Sequence, residues 1–358
     1  MPRAELRWPG RTARAVPQGG GGAPNAPSQV TSITQDTTAT VSWVNPGSGA
    51  AATSYTVTPY IAGVAQSTTT VSAPAVSASV TGLTNSTAYT FSVHASNVSG
   101  SSAESAQSGS NTPRLNLIFG DEFNGSFLDP AWAAETRDGD QSAPETQYYL
   151  PARVSLDGSS NLVIHAQSGS VTLPGYSDTN PPTYAGANVT RPYTSGAVQW
   201  KSFSFTYGQV QVSAKVPNGS ALWPAIWMLG ANCEASNPLD PDNVGTCSWP
   251  NAGSEEIDVA EFNGNAPATY NAAVFSSAGN FGPNSNAVSN GDTTYHTYET
   301  DWVTGASLTW KLDGATVQSA TSTGLSSPMF LIIQTAIRGT ATFTQPDFIV
   351  DWVRVFHN

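Results

Sequence analysis

The sequence is short of charge. Only 11% of its 358 residues are Asp, Glu, Lys or Arg, and Lys occurs just at 201, 215 and 311. With a net charge of −12, the chain lacks the clustered cations that nucleic acid or an anionic membrane surface requires, so a neutral partner is expected. No apolar run reaches the roughly 18 residues of a membrane-spanning helix. No long stretch carries an apolar period of about 3.6, which argues against a helical fold. The patterns G-x-S-x-G, H-E-x-x-H and G-x-x-x-x-G-K-S/T are missing, and with them three common enzyme templates. Cysteine is down to Cys233 and Cys247, in a loop rich in Asn, Pro, Asp and Gly. Two free thiols are one reading. We expect a disulfide instead, because the loop has few apolar residues to hold it, and closing it would contribute roughly 3 kcal/mol. Four Cys or His ligands for zinc are not available nearby.

Gly (32) and Pro (25) are plentiful, and Ser and Thr abundant. With short alternating runs between turns, that composition predicts an all-β chain of two domains. Residues 1–25 hold Arg3, Arg7, Arg11 and Arg14 and then Gly19 to Gly22, without an apolar h-region, so no signal peptide is recognisable. This segment is expected to be a disordered tether or an artefact of start-site choice, although everything downstream reads as secreted. Residues 26–113 carry no Lys or Arg and only Asp36 and Glu104 as acids. Strands are expected at Ala39–Trp43, Ser54–Tyr60, Ser77–Leu83 and Tyr89–Ala95, the spacing of a β-sandwich. Trp43, Leu83 and Tyr89 resemble the fibronectin type III pattern, with Tyr89 as the tyrosine-corner residue. His94 is expected to be structural, and the module a spacer, since no exposed aromatic row is evident. Asn111–Arg114 is the linker to residues 115–358.

In that second domain, Tyr207 to Val216 alternates cleanly. Val210, Val212, Ala214 and Val216 form its apolar face; Gln209, Gln211, Ser213 and Lys215 form a polar face that can line a cleft in a curved sandwich. Trp223 and Trp227 share a face. Core packing is the default for tryptophan, yet flat apolar rings are also what a sugar stacks on. The stretch Gly253–Gly264 stands out most. Glu255, Glu256, Asp258 and Glu261 fall within seven positions. On a strand, Glu256 and Asp258 point to one face. Glu261 joins them only if a β-bulge, most simply at Val259-Ala260, inserts one residue. Ile257 then points into a core. Stacking like charges destabilises a fold, so a role beyond folding is implied. Two carboxylates, one ionised and one protonated, are what glycoside hydrolysis needs. A solvated acidic face and a calcium site are the competing readings.

Glu256-Ile-Asp-Val-Ala-Glu261 resembles the bulged E-I-D-x-x-E signature of the laminarinase-like members of glycoside hydrolase family 16. Asp121 to Gly125, Tyr193 to Gly196, Leu222 to Trp227, Trp249-Pro250, Tyr295 to Tyr298, Trp310 to Gly314 and Val350 to Val355 follow in the family's order. The resemblance implies a β-jelly-roll sandwich with an open cleft that cleaves internal linkages of β-glucans, or alternatively of galactans, with retention. It implies Glu256 as nucleophile, Asp258 as its helper and Glu261 as acid/base, with Arg191, Trp223, Trp227 and Trp249 as sugar contacts. No cofactor is implied for catalysis. One structural calcium ion is implied, at Glu122, the Gly158 backbone and Asp351. His296 also matches a family position, where strand packing explains it equally well. The expected partner is a β-glucan polysaccharide, and a monomer is expected. A carbohydrate-binding protein without catalysis is the reading from another class, and intact Glu256 and Glu261 count against it. Gln209, Gln211 and Ser213 stand where charged residues are common in the family, and Gln334-Thr-Ala-Ile-Arg-Gly339 replaces Asn-Leu-Ala-Val-Gly-Gly. Both departures bear on linkage specificity.

Overall fold

A computed structural model describes residues 21–139, 144–175, 187–200, 203–233, 247–303, 307–321 and 323–357. Most of the segment expected to be a tether, and the interior of the loop between Cys233 and Cys247, lie outside these residues. Among the described residues the chain is strand after strand, with two short 3-10 turns at Pro151–Arg153 and Ala231–Cys233. Cys233 and Cys247 form the expected disulfide.

The N-terminal module is a sandwich around Trp43, Tyr55, Val57, Leu83, Tyr89, Phe91 and Val93. The Tyr89 hydroxyl accepts the backbone N–H of Thr84 at 3.0 Å, which is the tyrosine corner expected from its place at the head of a strand. His94 bonds Glu104 at 2.7 Å within the module.

The two modules meet along a strand edge. Strand Ser28–Gln35 pairs with Thr38–Val44 on one side and meets Leu117–Asp121 of the second domain on the other, with Thr34 opposite Gly120. The Asp36 N–H donates to the Leu117 carbonyl at 2.7 Å, and Gln35 Nε2 donates to the Ile118 carbonyl at 3.1 Å. Ile33 is buried in the core of the second domain. One sheet therefore runs through both modules. A sandwich edge that would otherwise expose unpaired backbone groups is covered by the neighbouring module.

The second domain is a jelly-roll sandwich of two large sheets, with a smaller four-stranded sheet of Arg137–Asp138, Gln147–Tyr149, Asn188–Ser195 and Gln167–Pro174 beside them. The larger places Ala315–Ala320, Ser307–Leu312, His296–Val303, Gly208–Lys215, Asp347–Phe356 and Leu117–Asp121 side by side before passing into the N-terminal module. The facing sheet holds Trp132–Ala134, Ala197–Trp200, Met329–Gln345, Asn218–Gly230, Glu256–Phe262, Thr269–Phe275 and Phe281–Ala287 in that order. Alternate residues of both meet in a core that includes Val210, Val212, Ile226, Met228, Ile257, Trp302, Trp310, Leu331 and Ile333.

The alternation of Gly208–Lys215 is as expected, but its polar face is not in the cleft. That strand belongs to the larger sheet, and with Val210, Val212 and Ala214 fully buried in the core, period two turns Gln209, Gln211 and Ser213 away from the other sheet. Gln211 donates to Gln209 and Glu299, and Ser213 to Asp351. These residues therefore do not set linkage specificity.

Candidate active site

The acidic strand Glu256–Phe262 lies between Asn218–Gly230 and Thr269–Phe275. Its register carries the expected bulge on both sides. Trp227 faces Asp258 while Ile226 faces Ala260, and Asp258 faces Ala273 while Glu261 faces Asn271. One extra residue thus sits in the acidic strand, and Glu256, Asp258 and Glu261 share a face, with Ile257 buried in the core behind them. A bulge leaves backbone groups without a ladder partner, and a buried orphan is costly. Here the Asp258 carbonyl accepts the indole N–H of Trp310 at 2.8 Å, across the core from the larger sheet. Glu255, the remaining acid of the run, points elsewhere: it is buried and accepts the Gly253 N–H at 2.6 Å.

Each outer glutamate meets an indole. Trp249 Nε1 donates to Glu256 Oε2 at 2.8 Å, and Trp223 Nε1 donates to Glu261 Oε1 at 2.5 Å. Asp258 between them is only 6% exposed. Burial, and then the charges of Glu256 and Glu261, push its carboxyl well above the usual carboxylate range, and a hydrogen bond with Glu256 adds to the effect. These surroundings favour the neutral form of Asp258 and link it by a hydrogen bond to Glu256. Crowding among the three acids thus acts on Asp258 in one direction, toward its neutral form.

Of the residues expected to contact sugar, the structure brings three tryptophans to this face. Trp249 is 52% exposed and packs on Phe275 with ring centroids 5.6 Å apart. Trp227, directly opposite Asp258, is half-buried against the core. Trp223 pairs with Ala336 on strand Met329–Gln345, and the guanidinium of Arg338 lies 4.2 Å from its ring centroid. Arg191 is held otherwise: it forms a two-point ion pair with buried Asp138, at 2.5 and 2.7 Å.

A buried polar group beside the acids was missed from sequence. Arg137 donates to Glu135 at 2.6 Å and to Gln334 at 2.7 Å, with its guanidinium 4.2 Å from the Tyr149 ring centroid. Gln334 is opposite Ala225, which is opposite Glu261. The signal available was the acid–base run Glu135-Thr-Arg137-Asp138 in a chain so poor in charge.

The implied calcium ligands are placed less favourably. Both Glu122 oxygens accept from Arg354, at 2.9 and 2.8 Å, with Arg114 3.7 Å away. Asp351 accepts from Ser213, and Gly158 sits in a turn at φ +73°. A cation at Glu122 would have to displace a guanidinium, and no group of three or more His, Cys, Asp or Glu side chains gathers among the described residues. No chemistry proposed for the acids runs through such an ion.

Comparison with known proteins adds two domain matches. The model of the glycosyl hydrolases family 16 matches residues 157–354, and that of the fibronectin type III domain residues 15–110. Glucan endo-1,3-beta-glucosidase A1 of Niallia circulans is 28% identical over 280 residues, covering 68% of this chain and 38% of that protein. Beta-glucanase of Rhodothermus marinus is 30% identical over 212 residues, covering 56% of this chain and 64% of that protein. The chain thus spans well under two thirds of the first of these relatives and just under two thirds of the second. Among solved structures, the endo-beta-1,3-glucanase of Pyrococcus furiosus aligns with a TM-score of 0.55 at 25% identity, covering 70% of this chain and 95% of that one.

Proposed function

The chain belongs to glycosyl hydrolase family 16, and we propose that it hydrolyses internal linkages of a β-glucan, β-1,3 or mixed β-1,3-1,4, with retention of anomeric configuration. The observation that carries this reading is the bulged strand, which sets three acids on one face and holds the two outer ones with different indoles. The relatives named above, glucanases in their own right, support the substrate class.

In this reading Glu256 is the ionised nucleophile. As Glu261 gives its proton to the glycosidic oxygen, Glu256 attacks the anomeric carbon, the C–O bond breaks and the aglycone leaves as an alcohol. Glu261, now a carboxylate, takes a proton from water, whose oxygen displaces Glu256 from the sugar. Asp258 donates a hydrogen bond to Glu256 while that carboxylate is charged. Once Glu256 has become an ester, Asp258 no longer faces a charge there. Trp249 and Trp227 flank the acids as apolar surfaces for the sugar chain. The disulfide supports an extracellular site of action, because such bonds persist in oxidising compartments.

Incubation with laminarin, lichenan, agarose and carrageenan, with products resolved by size, tests the substrate. Oligosaccharides from the first two are expected; release from agarose or carrageenan alone would transfer the reading to galactans. Glu256→Gln is expected to abolish release while leaving the thermal melt unchanged. Inverted products by NMR would rule out the retaining route.

A further inference from the structure

Arg338 is the cation closest to the acids that the reaction does not account for. It stands in the segment Gln334–Gly339, at a place where the family resemblance leads one to expect glycine. Its strand, Met329–Gln345, lies beside the one that carries Trp223. Arg137 and Arg191 each have a carboxylate oxygen within 2.6 Å. The nearest carboxylate oxygen of Arg338 is instead Glu261 Oε1, at 3.8 Å, and its Nε is buried without a hydrogen-bond partner. What Arg338 does engage closely is the face of the Trp223 indole, 4.2 Å from guanidinium carbon to ring centroid. A planar cation over an aromatic face is attracted to it, and the partial burial here strengthens that attraction.

We propose that Arg338 is a positioning residue for the acid/base: it clamps the Trp223 indole, which in turn fixes the orientation of the Glu261 carboxyl. This rests on the assignment of Glu261 above. The Trp223 Nε1–H occupies Glu261 Oε1, so the transferable proton is left to Oε2. If the indole swings, either oxygen can carry the proton and its direction toward the glycosidic oxygen is lost. The clamp also takes one face of Trp223, so that this face is closed to a sugar ring. Trp223, expected from sequence to be a stacking platform, becomes the holder of Glu261, and stacking is left to Trp227 and Trp249. Coulombic attraction from the same guanidinium acts on Asp258, opposing the raising effect of the neighbouring acids, which places the charge within electrostatic reach of the whole constellation.

The test separates proton donation from everything else by leaving group. A laminarin-derived oligosaccharide leaves as an alcohol and needs the proton. A 2,4-dinitrophenyl glycoside of the same sugars leaves as a stable phenolate and does not. Arg338→Met is expected to lower kcat/KM on the oligosaccharide by roughly tenfold or more, part of the roughly 10²–10⁴ that proton transfer contributes, with kcat/KM on the aryl glycoside within about twofold. Trp223→Phe, which keeps the ring and removes the donor, should give the same pattern. The double variant should be no worse than Trp223→Phe, because both act through one indole. Equal losses on the two substrates, multiplicative losses in the double variant, or no loss in Arg338→Met would each overturn the proposal. Glu261→Ala is the control: if it too loses activity equally on both substrates, the acid/base assignment is what fails. Activity on the aryl glycoside itself reports that each variant has folded.

Discussion

Stability should fall as pH rises from about 4 to 7, and Asp121 is one reason. Asp121 closes the strand where the two modules meet, and is 5% exposed. Its carboxylate accepts the Phe123 N–H and the Trp132 indole N–H, each at 2.9 Å, and both bonds favour the charged form. Burial outweighs them, with the nearby charge of Asp129 adding to it, so the carboxyl is pushed up from 3.8 to about 7. A group that binds its proton more tightly in the folded state contributes stability at low pH and loses it as pH rises between the unfolded and folded values. The gap is about three units, and at about 1.4 kcal/mol per unit the loss is roughly 4 kcal/mol. Asp258 is shifted in the same direction, so the wild-type slope contains more than one proton, and a variant is needed to isolate Asp121. Asp121→Asn cannot titrate, but its amide replaces one acceptor and leaves Trp132 or Phe123 unpaired, at about 1–3 kcal/mol. Urea unfolding at half-unit intervals from pH 4 to 8 should show the variant less stable at pH 4. Its curve should be shallower by up to about 1.4 kcal/mol per pH unit, so the gap closes as pH rises. Parallel curves would refute the reasoning, since they would mean that Asp121 titrates alike in both states.

Three other perturbations have defined outcomes. Trp310→Phe removes the N–H that satisfies the Asp258 carbonyl at the bulge; about 1–3 kcal/mol of stability should go, with a loss of kcat larger than any change in KM. Ile33→Ala, made in the N-terminal module, leaves a cavity in the core of the second domain and should cost about 2–5 kcal/mol. By calorimetry both modules should melt in one transition; two transitions with only the first one shifted would show that the shared sheet is not cooperative. Replacing Cys233 and Cys247 by Ser opens a loop of sequence separation 14 and should lower stability by roughly 3 kcal/mol under denaturant, without changing activity in buffer.

The bulge was legible because charge is so rare in this chain that Glu256, Asp258 and Glu261 stand out, and because period two makes the misplacement of Glu261 countable. The same period placed Ile257 in the core. It says which residues share a face, but not which sheet a strand joins, so Gln209, Gln211 and Ser213 were set in a cleft they do not line. Residue type was a partial guide for Trp223: an indole can stack or donate, and its hydrogen bond to Glu261 depends on the strand register. Arg137 and Gln334 are 197 positions apart, and no local pattern connects them. The meeting of the two modules was hidden for a similar reason. Ser28–Gln35 has only Val30 and Ile33 as apolar residues, three apart, so period two does not pick it out as a strand, although the structure buries Val30 through Thr34 in succession.

Clustered acids ought to weaken the strand that bears them, and the structure shows how the cost is limited. Burial and the neighbouring acids favour the neutral form of Asp258, which lessens the repulsion, and Glu256 and Glu261 each accept an indole N–H. The bulge itself is not self-supporting. Its free carbonyl is held by Trp310 of strand Ser307–Leu312, which belongs to the larger sheet. That sheet continues through Leu117–Asp121 into Ser28–Gln35 of the fibronectin-like module. The geometry of the acids therefore rests on a sheet to which both modules contribute strands. A change at the seam, whether Ile33→Ala or ionisation of Asp121, lowers the stability of the element that anchors the bulge without touching any group in the cleft.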